Sequence, residues 1–193
     1  MRIVAGSLRG KRLIAPDGEG VRPTADRTRE ALFNILEGGR LTGGVSPLPG
    51  ARILDAFAGT GALGLEALSR GAAQVDFLER YAPALTALRA NVSALGSAQA
   101  CRIHDRDVLH PPEAGAAADV VFMDPPYNQG LARPALEALS KAGWISERTL
   151  ICLELLKSED ANPPPDFVSL DERRYGKAKL CFLRKAPRPT DAR

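Results

Sequence analysis

The sequence predicts an α/β protein whose doubly wound, seven-stranded, mostly parallel sheet ends in an antiparallel C-terminal hairpin. Three observations predict it. From residue 51 onward, short apolar runs alternate with stretches of helical spacing, the signature of βαβ units. Those runs are apolar at successive positions, as in Val120-Val121-Phe122 and Leu150-Ile151-Cys152-Leu153, which suits strands covered on both faces. The last two runs are joined by a polar stretch too short for a crossover helix, so they should pair antiparallel.

Taken in chain order, residues 2–15 alternate around Gly6 and Gly10 and predict a small hairpin with a cationic loop, Ser7-Leu8-Arg9-Gly10-Lys11. Pro16 to Pro23 is rich in turn residues. Thr24 is placed as the N-cap of a helix whose apolar stripe is Ala31, Leu32, Ile35 and Leu36, stopped at Gly38-Gly39. Residues 38–50 hold five glycines and two prolines and read as a linker. Strands are expected at 51–57, 74–79, 100–104, 119–123 and 149–155, with helices at 61–69, 83–95 and 131–142. Residues 105–118 give no clear pattern. The closing strands are expected at 167–170 and 178–184. The division that follows is an N-terminal hairpin and helix over 1–37, a linker over 38–50 and a ligand-binding domain over 51–193.

Composition narrows the function classes. The 193 residues are 45% hydrophobic and 25% charged, the balance of an ordinary globular protein. No apolar run reaches membrane-spanning length, and the N-terminus shows no secretory h-region; a cytoplasmic location is expected. Cys101, Cys152 and Cys181 are widely spaced in apolar runs, which suits reduced thiols better than a disulfide framework. With only His104 and His110 as imidazoles, no metal centre is expected. Net charge is +3 but uneven: residues 1–30 carry +3, residues 173–193 carry +7 and residues 31–172 carry −7. Basic ends around an acidic middle can grip phosphates, and a solvated surface with a basic tail explains them equally well.

Asp55-Ala56-Phe57-Ala58-Gly59-Thr60-Gly61-Ala62-Leu63-Gly64 ends one predicted strand and opens a helix, the place where open α/β sheets bind ligands. Glycines there let backbone approach a ligand closely. Glu79, fifteen residues beyond Gly64 at the end of the next strand, can accept ribose hydroxyls of a nucleoside cofactor. The loop alone does not separate a dinucleotide from S-adenosylmethionine. Asp55 tilts the choice, because a carboxylate there suits a methionine ammonium and repels a pyrophosphate. Asp107 or Asp105 follows the third strand, where a carboxylate can meet an adenine amine; both stay open.

Asp119 to Tyr127 runs an apolar strand into Asp124-Pro125-Pro126-Tyr127, about 65 residues beyond the glycine loop. The prolines fix φ and remove two donors, leaving a stiff turn that displays carbonyl oxygens. An exocyclic base amine is a poor nucleophile, its lone pair delocalised into the ring. The Asp124 carboxylate and Pro125 carbonyl can accept its N–H groups and hold the nitrogen in line. Tyr127 can stack on an unstacked base.

Asp-Pro-Pro-Tyr occurs in amino-methyltransferases of several substrates. The segment Arg22-Pro23-Thr24 through Asp26-Arg27-Thr28-Arg29-Glu30 to Leu32-Phe33-Asn34, with Arg2-Ile3-Val4-Ala5-Gly6, Arg9-Gly10 and Leu13 before it, resembles the bacterial RsmD family of 16S rRNA guanine-N2 methyltransferases. The resemblance runs through most of residues 1–155 and departs at Tyr127, where the family often has Phe. It implies a Rossmann-like class I methyltransferase fold and S-adenosylmethionine as cofactor. It further implies a guanine of 16S rRNA in the assembled small subunit as substrate, and a monomeric enzyme. On the matching positions, Asp124, Pro125, Pro126 and Tyr127 take the base-amine role. Asp55, Ala56, Phe57, Gly59, Gly61, Glu79, Arg80, Asp107 and Val108 take the cofactor, with Arg22 and Thr24 at its rim. The basic hairpin residues Arg2, Arg9, Lys11 and Arg12 are expected to contact RNA, with Arg27, which also lies in the rim segment. The readings set against this are an adenine-N6 DNA methyltransferase, an NAD-dependent oxidoreductase on the same loop, and a non-catalytic RNA-binding protein.

Overall fold

The computed structural model describes residues 1–15 and 23–187, and for residues 23–26 the backbone alone. Arg22, the turn-rich stretch 16–22 and the end of the basic tail lie outside the described residues. The elements are α1 (Pro23–Glu37), β1 (Arg52–Ala56), α2 (Ala62–Ser69), β2 (Gln74–Glu79), α3 (Ala82–Ala94), β3 (Cys101–Asp105), β4 (Val120–Met123), α4 (Ala132–Lys141), β5 (Leu150–Leu156), β6 (Phe167–Tyr175) and β7 (Ala178–Lys185). They build one seven-stranded sheet in the order β3-β2-β1-β4-β5-β7-β6. The first five strands are parallel, and β7 runs antiparallel to both β5 and β6. The expected fold class is what is observed.

Most element boundaries fall within a residue or two of the sequence reading, and three of the differences have a physical reason. The helix begins at Pro23, so Thr24 lies inside its first turn and is not its cap; proline's fixed φ suits the first helical position. The stretch between the last two apolar runs is largely strand, with β6 continuing to Tyr175 and a turn left only at Gly176-Lys177. Its consecutive Asp171, Glu172, Arg173 and Arg174 put charge on both faces of an edge strand, with Arg173 2.9 Å from Asp171 on one face and Lys179 of β7 3.2 Å from Glu172 on the other. α3 starts one residue early, at Ala82, with Pro83 in its first turn.

Alternation along each strand divides the core. Ile53, Val75, Phe77, Val120, Phe122 and Cys152 face one side, where Phe33 and Leu36 of α1, Leu65 of α2 and Leu88 of α3 cover them. Leu54, Leu78, Val121, Met123, Ile151 and Leu153 face the other, under α4 and Trp144. The stretch 106–119 forms neither helix nor strand. It still lays Val108 and Ala118 on that second face, tied down where Trp144 Nε1 donates to the Pro112 carbonyl at 2.8 Å and Ala114 N–H to the Ala142 carbonyl.

The N-terminal hairpin is narrow: one antiparallel bridge joins Arg2 and Arg12, flanked by Ile3 N–H to the Lys11 carbonyl and Gly10 N–H to the Ile3 carbonyl, both 2.9 Å. What fixes it is α2. Glu66, 1% exposed, accepts the N–H groups of Val4 and Ala5 at 2.8 and 3.0 Å and the Arg70 guanidinium at 2.7 Å. Arg70 also reaches Glu37 of α1 at 2.9 Å and lies over the Phe33 ring. Gly6 sits at φ +80°, and a Cβ there would meet the Ser69 carbonyl oxygen at 1.8 Å, so only glycine permits this approach. On α3, buried Asn91 grips Ile14 from both sides, accepting its N–H at 2.7 Å and donating to its carbonyl at 3.0 Å. The same Nδ2 donates to the carbonyl of Thr60 in the glycine loop.

Removing the Glu66 carboxylate leaves two half-buried N–H groups without their acceptor and takes from the buried Arg70 side chain one of its two acids. Glu66→Ala is expected to lower unfolding free energy by about 3–5 kcal/mol, the usual loss when one partner of a buried pair is deleted, as read from urea denaturation.

Candidate active site

Strand order reverses between β1 and β4, so their carboxyl ends open a crevice at the switch point of the sheet. The sequence-predicted carboxylates gather there. Ala56 of β1 pairs with Leu78 of β2 and Met123 of β4, which sets Glu79 and Asp124 on either side of the residue that follows, Phe57. That residue has φ +62°, unusual for a bulky side chain; such strain costs on the order of 1–3 kcal/mol and gathers at functional sites.

The glycine loop is held from beneath by two acids. Asp55, 1% exposed, accepts the Gly64 N–H at 2.8 Å, one of the orphan donors in the first turn of α2. Glu79 accepts the Gly59 N–H at 2.7 Å through Oε2, and the N–H groups of Arg80 and Tyr81 through Oε1 at 2.8 and 2.7 Å. Three of its roughly four acceptor positions are therefore taken by backbone. The glycines divide their work. At Gly64 a Cβ would meet the Phe77 ring at 2.4 Å, so glycine closes α2 onto the sheet; at Gly59 a Cβ would meet no atom within 4 Å, leaving open space above the loop.

Of the two carboxylates after β3, Asp105 pairs outward with Arg89 of α3 at 3.6 Å, its side chain 60% exposed. Asp107 is less exposed, accepts the Leu109 N–H at 2.9 Å and bonds Arg80 at 2.7 Å. The Arg80–Asp107 pair thus bridges the ends of β2 and β3, with Val108 buried behind it.

Asp124 leaves β4 into the Pro125-Pro126 turn, Pro125 buried and Pro126 exposed. Asp124 is exposed at the strand end, beside the half-buried Glu154. Desolvation first, and the Glu154 carboxylate second, raise its pKa. Asp55 is raised well above the ordinary range by burial, against the opposing Gly64 hydrogen bond, and further by Asp124 and Glu79. Glu154 is raised by burial, partly offset by the Tyr127 hydrogen bond.

Glu154 and Glu159 are the site residues that sequence reasoning missed. Met123 pairs with Leu153, so the residues after them, Asp124 and Glu154, are neighbours across the strand ends. The Tyr127 hydroxyl donates to Glu154 Oε1 at 2.8 Å. Glu159 accepts the N–H groups of Asn128 and Leu156 at 2.7 and 2.9 Å, pinning the turn after Tyr127, where Asn128 has φ +59°. The available signal for Glu154 was a lone acid in the apolar run Leu150–Leu156.

The RNA candidates sit on the N-terminal hairpin and on α1. Arg2, Arg9, Lys11, Arg12 and Arg27 are all exposed, and none of them ion-pairs with a carboxylate among the described residues. Thr24 is described by its backbone only and Arg22 not at all, so their rim positions go untraced. Cys152 and Cys181 are buried and Cys101 half-buried, all unbridged. Burial pushes the Cys101 and Cys181 thiols up to about 11. Among the described residues no cluster of His, Cys, Asp and Glu could hold a metal ion, and no helix is long and apolar enough to cross a membrane. Two shallow depressions at the opposite, amino-terminal edge of the sheet, both touching Arg148, include none of the crevice carboxylates.

A glycine loop over a buried acid on β1, an acid ending β2 and an Asp-Pro-Pro turn ending β4 within this strand order define the class I methyltransferase fold. A solved Escherichia coli structure described as a methyltransferase, yhhF, superposes with a TM-score of 0.79 at 32% identity, covering 97% of this chain and 99% of that one. The family model described as Conserved hypothetical protein 95 matches residues 1–184, and the chain belongs to that family, the RsmD family. Ribosomal RNA small subunit methyltransferase D of Haemophilus influenzae is 37% identical over 180 residues, 91% of this chain and 89% of that protein. The Escherichia coli K12 protein of the same name is 37% identical over 154 residues, covering 80% and 74%. The resemblance drawn from the N-terminal and Asp-Pro-Pro-Tyr segments is borne out.

A raised carboxylate pKa makes a signed prediction for stability. The folded protein holds the Asp124 proton more tightly than the unfolded chain, so this group's contribution is full below the unfolded value near ~4. It is lost as pH rises through the folded value. Asp124→Asn, which cannot ionise, should match the parent protein in thermal scans at pH 4 and melt progressively higher than it as pH is raised. Equal melting temperatures across that range would rule out a raised pKa.

Proposed function

We propose that this protein methylates the exocyclic N2 of a guanine in 16S rRNA, using S-adenosylmethionine. It acts as a cytoplasmic monomer on the assembled small ribosomal subunit. The observation that carries this reading is the carboxylate-lined crevice between β1 and β4, in which Asp124 opens the Asp-Pro-Pro-Tyr turn beside the glycine loop. The relatives named above, which are rRNA small subunit methyltransferases, support the substrate class.

The residues present fit the cofactor. Asp55, Glu79 and Asp124 line the crevice with carboxyl groups whose ionisation a cationic ligand favours and the pyrophosphate of a dinucleotide opposes. The open space over Gly59 admits close approach to backbone. Phe57, Gly59 and Gly61, with Asp55 beneath and Ala56 closing the strand, would hold the methionine end. Glu79, with one acceptor position left, would take a ribose hydroxyl. Arg80, Asp107 and Val108 would flank the adenine. When bound, S-adenosylmethionine would supply a sulfonium-activated methyl group, open to attack by an amine lone pair with the thioether of S-adenosylhomocysteine as leaving group.

The protein's own part is to present that lone pair. Asp124 and the Pro125 carbonyl accept the two N–H groups of the amine. Both hydrogen bonds strengthen as positive charge develops on nitrogen, so they favour the transition state over the ground state. Asp124 can then take the proton the nitrogen sheds. The base must leave its stack to reach this depth, and the half-buried Tyr127 ring offers a surface beside Asp124. The hairpin cations Arg2, Arg9, Lys11 and Arg12, with Arg27, would meet phosphates, and the N-terminal unit over residues 1–37 would be the RNA-facing part of the molecule.

The direct test is transfer of labelled methyl to small subunits from a strain lacking the gene, with naked 16S rRNA and duplex DNA alongside. Label recovered as N2-methylguanosine from subunits supports the reading; label confined to adenine in DNA would replace it with the adenine-N6 alternative. Asp124→Ala should lower the transfer rate at least 100-fold while S-adenosylhomocysteine affinity is kept. Arg9→Ala with Lys11→Ala should weaken RNA binding and reduce the magnitude of its log–log salt slope by about 1–2; an unchanged slope would take the hairpin out of the RNA interface.

A further inference from the structure

We propose that Glu154 is the residue that makes the crevice select guanine, by accepting the base's N1–H while Asp124 holds the adjacent N2 amine. This inference rests on the reading above and deepens it. Asp124 and Glu154 follow the paired residues Met123 and Leu153, so they stand side by side at the ends of adjacent strands, about 4.8 Å apart at the backbone. Alternation puts both on the sheet face that carries Phe122 and Cys152. Glu154 Oε1 accepts the Tyr127 hydroxyl, which fixes the carboxyl group, and Oε2 has no protein partner among the described residues. Glu154 is half-buried, so an acceptor there that faces a base without a donor cannot easily be satisfied by water.

The chemistry of the purines meets this pair in opposite ways. Guanine presents N1–H next to its N2 amine, two donors in a row on one edge, matched by two acceptors in a row. Adenine presents an N6 amine next to an unprotonated N1, an acceptor. Placing adenine's amine on Asp124 would turn the N1 lone pair toward the Glu154 carboxylate, which can satisfy it only by taking up a proton, whereas guanine's N1–H favours the ionised form. A hydrogen bond to a charged group is worth about 1.5–3 kcal/mol, and an unsatisfied buried partner costs a similar amount. Discrimination of roughly 10- to 100-fold at this position follows. Asp124 and the Pro125 carbonyl accept any exocyclic amine, so the Asp-Pro-Pro turn by itself leaves the choice between purines open. Glu154 supplies the missing selectivity, and the Tyr127 hydroxyl, absent where a phenylalanine stands, is the group that positions it.

The test uses 2-aminopurine, which keeps the 2-amine but carries an unprotonated N1. The methylated guanine is first mapped in subunits treated with the unaltered protein; 2-aminopurine is then placed at that position in 16S rRNA rebuilt into subunits. Two readouts are taken for the parent protein, Glu154→Gln and Tyr127→Phe. One is labelled methyl transfer. The other, independent of turnover, is the rise in 2-aminopurine fluorescence on unstacking, measured with S-adenosylhomocysteine present, with a guanine-containing subunit as competitor. The parent protein should favour guanine over 2-aminopurine by roughly 10- to 100-fold. Glu154→Gln, whose amide can donate to N1, should narrow or invert that ratio in both readouts, and Tyr127→Phe should narrow it without inversion. A ratio in Glu154→Gln equal to the parent's, or a parent protein indifferent between the two bases, overturns the assignment. Should Glu154→Gln fail to fold, an unchanged ratio in Tyr127→Phe overturns it alone. If the parent protein labels no guanine at all, the functional reading itself has failed, and this inference falls with it.

Discussion

The hydrogen bond from Gly64 N–H to the buried Asp55 carboxylate is the constraint on which the remaining site geometry depends. It joins the last turn-out of β1 to the first turn of α2 and so sets the arc of the loop between them. Gly64 can take part because its missing side chain lets α2 lie against Phe77. Glu79 repeats the device from β2, gripping Gly59 at the loop's crest. With the loop held at both points, Phe57 is kept in its left-handed conformation and the space over Gly59 stays clear. The positions of Asp124 and Glu154 then follow from strand register alone.

The crevice gathers carboxyl groups at a cost to the fold. Asp55, Asp124 and Glu154 each hold their protons above the ordinary carboxylate range, which means that the ligand-free protein bears the repulsion and desolvation of acids it has brought together. Perturbed acids of this kind concentrate where a cleft is built for a counter-charge. A cation bound in the crevice would relieve the strain, so affinity for it is partly stored in the unliganded fold. The hydrogen bonds from Gly64 and Tyr127 work the other way, and keep the acids oriented rather than merely crowded.

Much of this was legible in the amino-acid sequence because it is carried by local pattern. β2 runs over the residues expected, and the five parallel strands, α2 and the Asp-Pro-Pro turn lie within a residue or two of their periodicity. The failures have identifiable causes. Thr24 looks like a cap because hydroxyls favour that position, yet Pro23 already has the φ a first helical residue needs. The unbroken charges of 171–174 read as loop, although an edge strand exposed on both faces can carry charge at every position. Residues 105–118 gave no pattern because they cover the sheet with scattered anchors, Val108 and Ala118, rather than with a stripe. Glu154 was invisible for a different reason: its partnership with Asp124 depends on the register of β4 against β5, which are separated by the whole of α4. Glu79 was found, but not that backbone donors occupy most of it.

Asn91 gives the N-terminal hairpin a standing that its size conceals. A single amide spans Ile14 on the hairpin and Thr60 on the glycine loop, while Glu66 and Ser69 receive Val4, Ala5 and Leu8. These acceptors and donors are buried in the helices of the sheet domain, and the hairpin is what satisfies them. The first fifteen residues therefore cannot be transplanted onto another sheet of this type as an accessory, nor clipped from this one, without re-engineering the interior of α2 and α3. The hairpin and the glycine loop are thus one packing unit, and a change at Asn91 is felt by both.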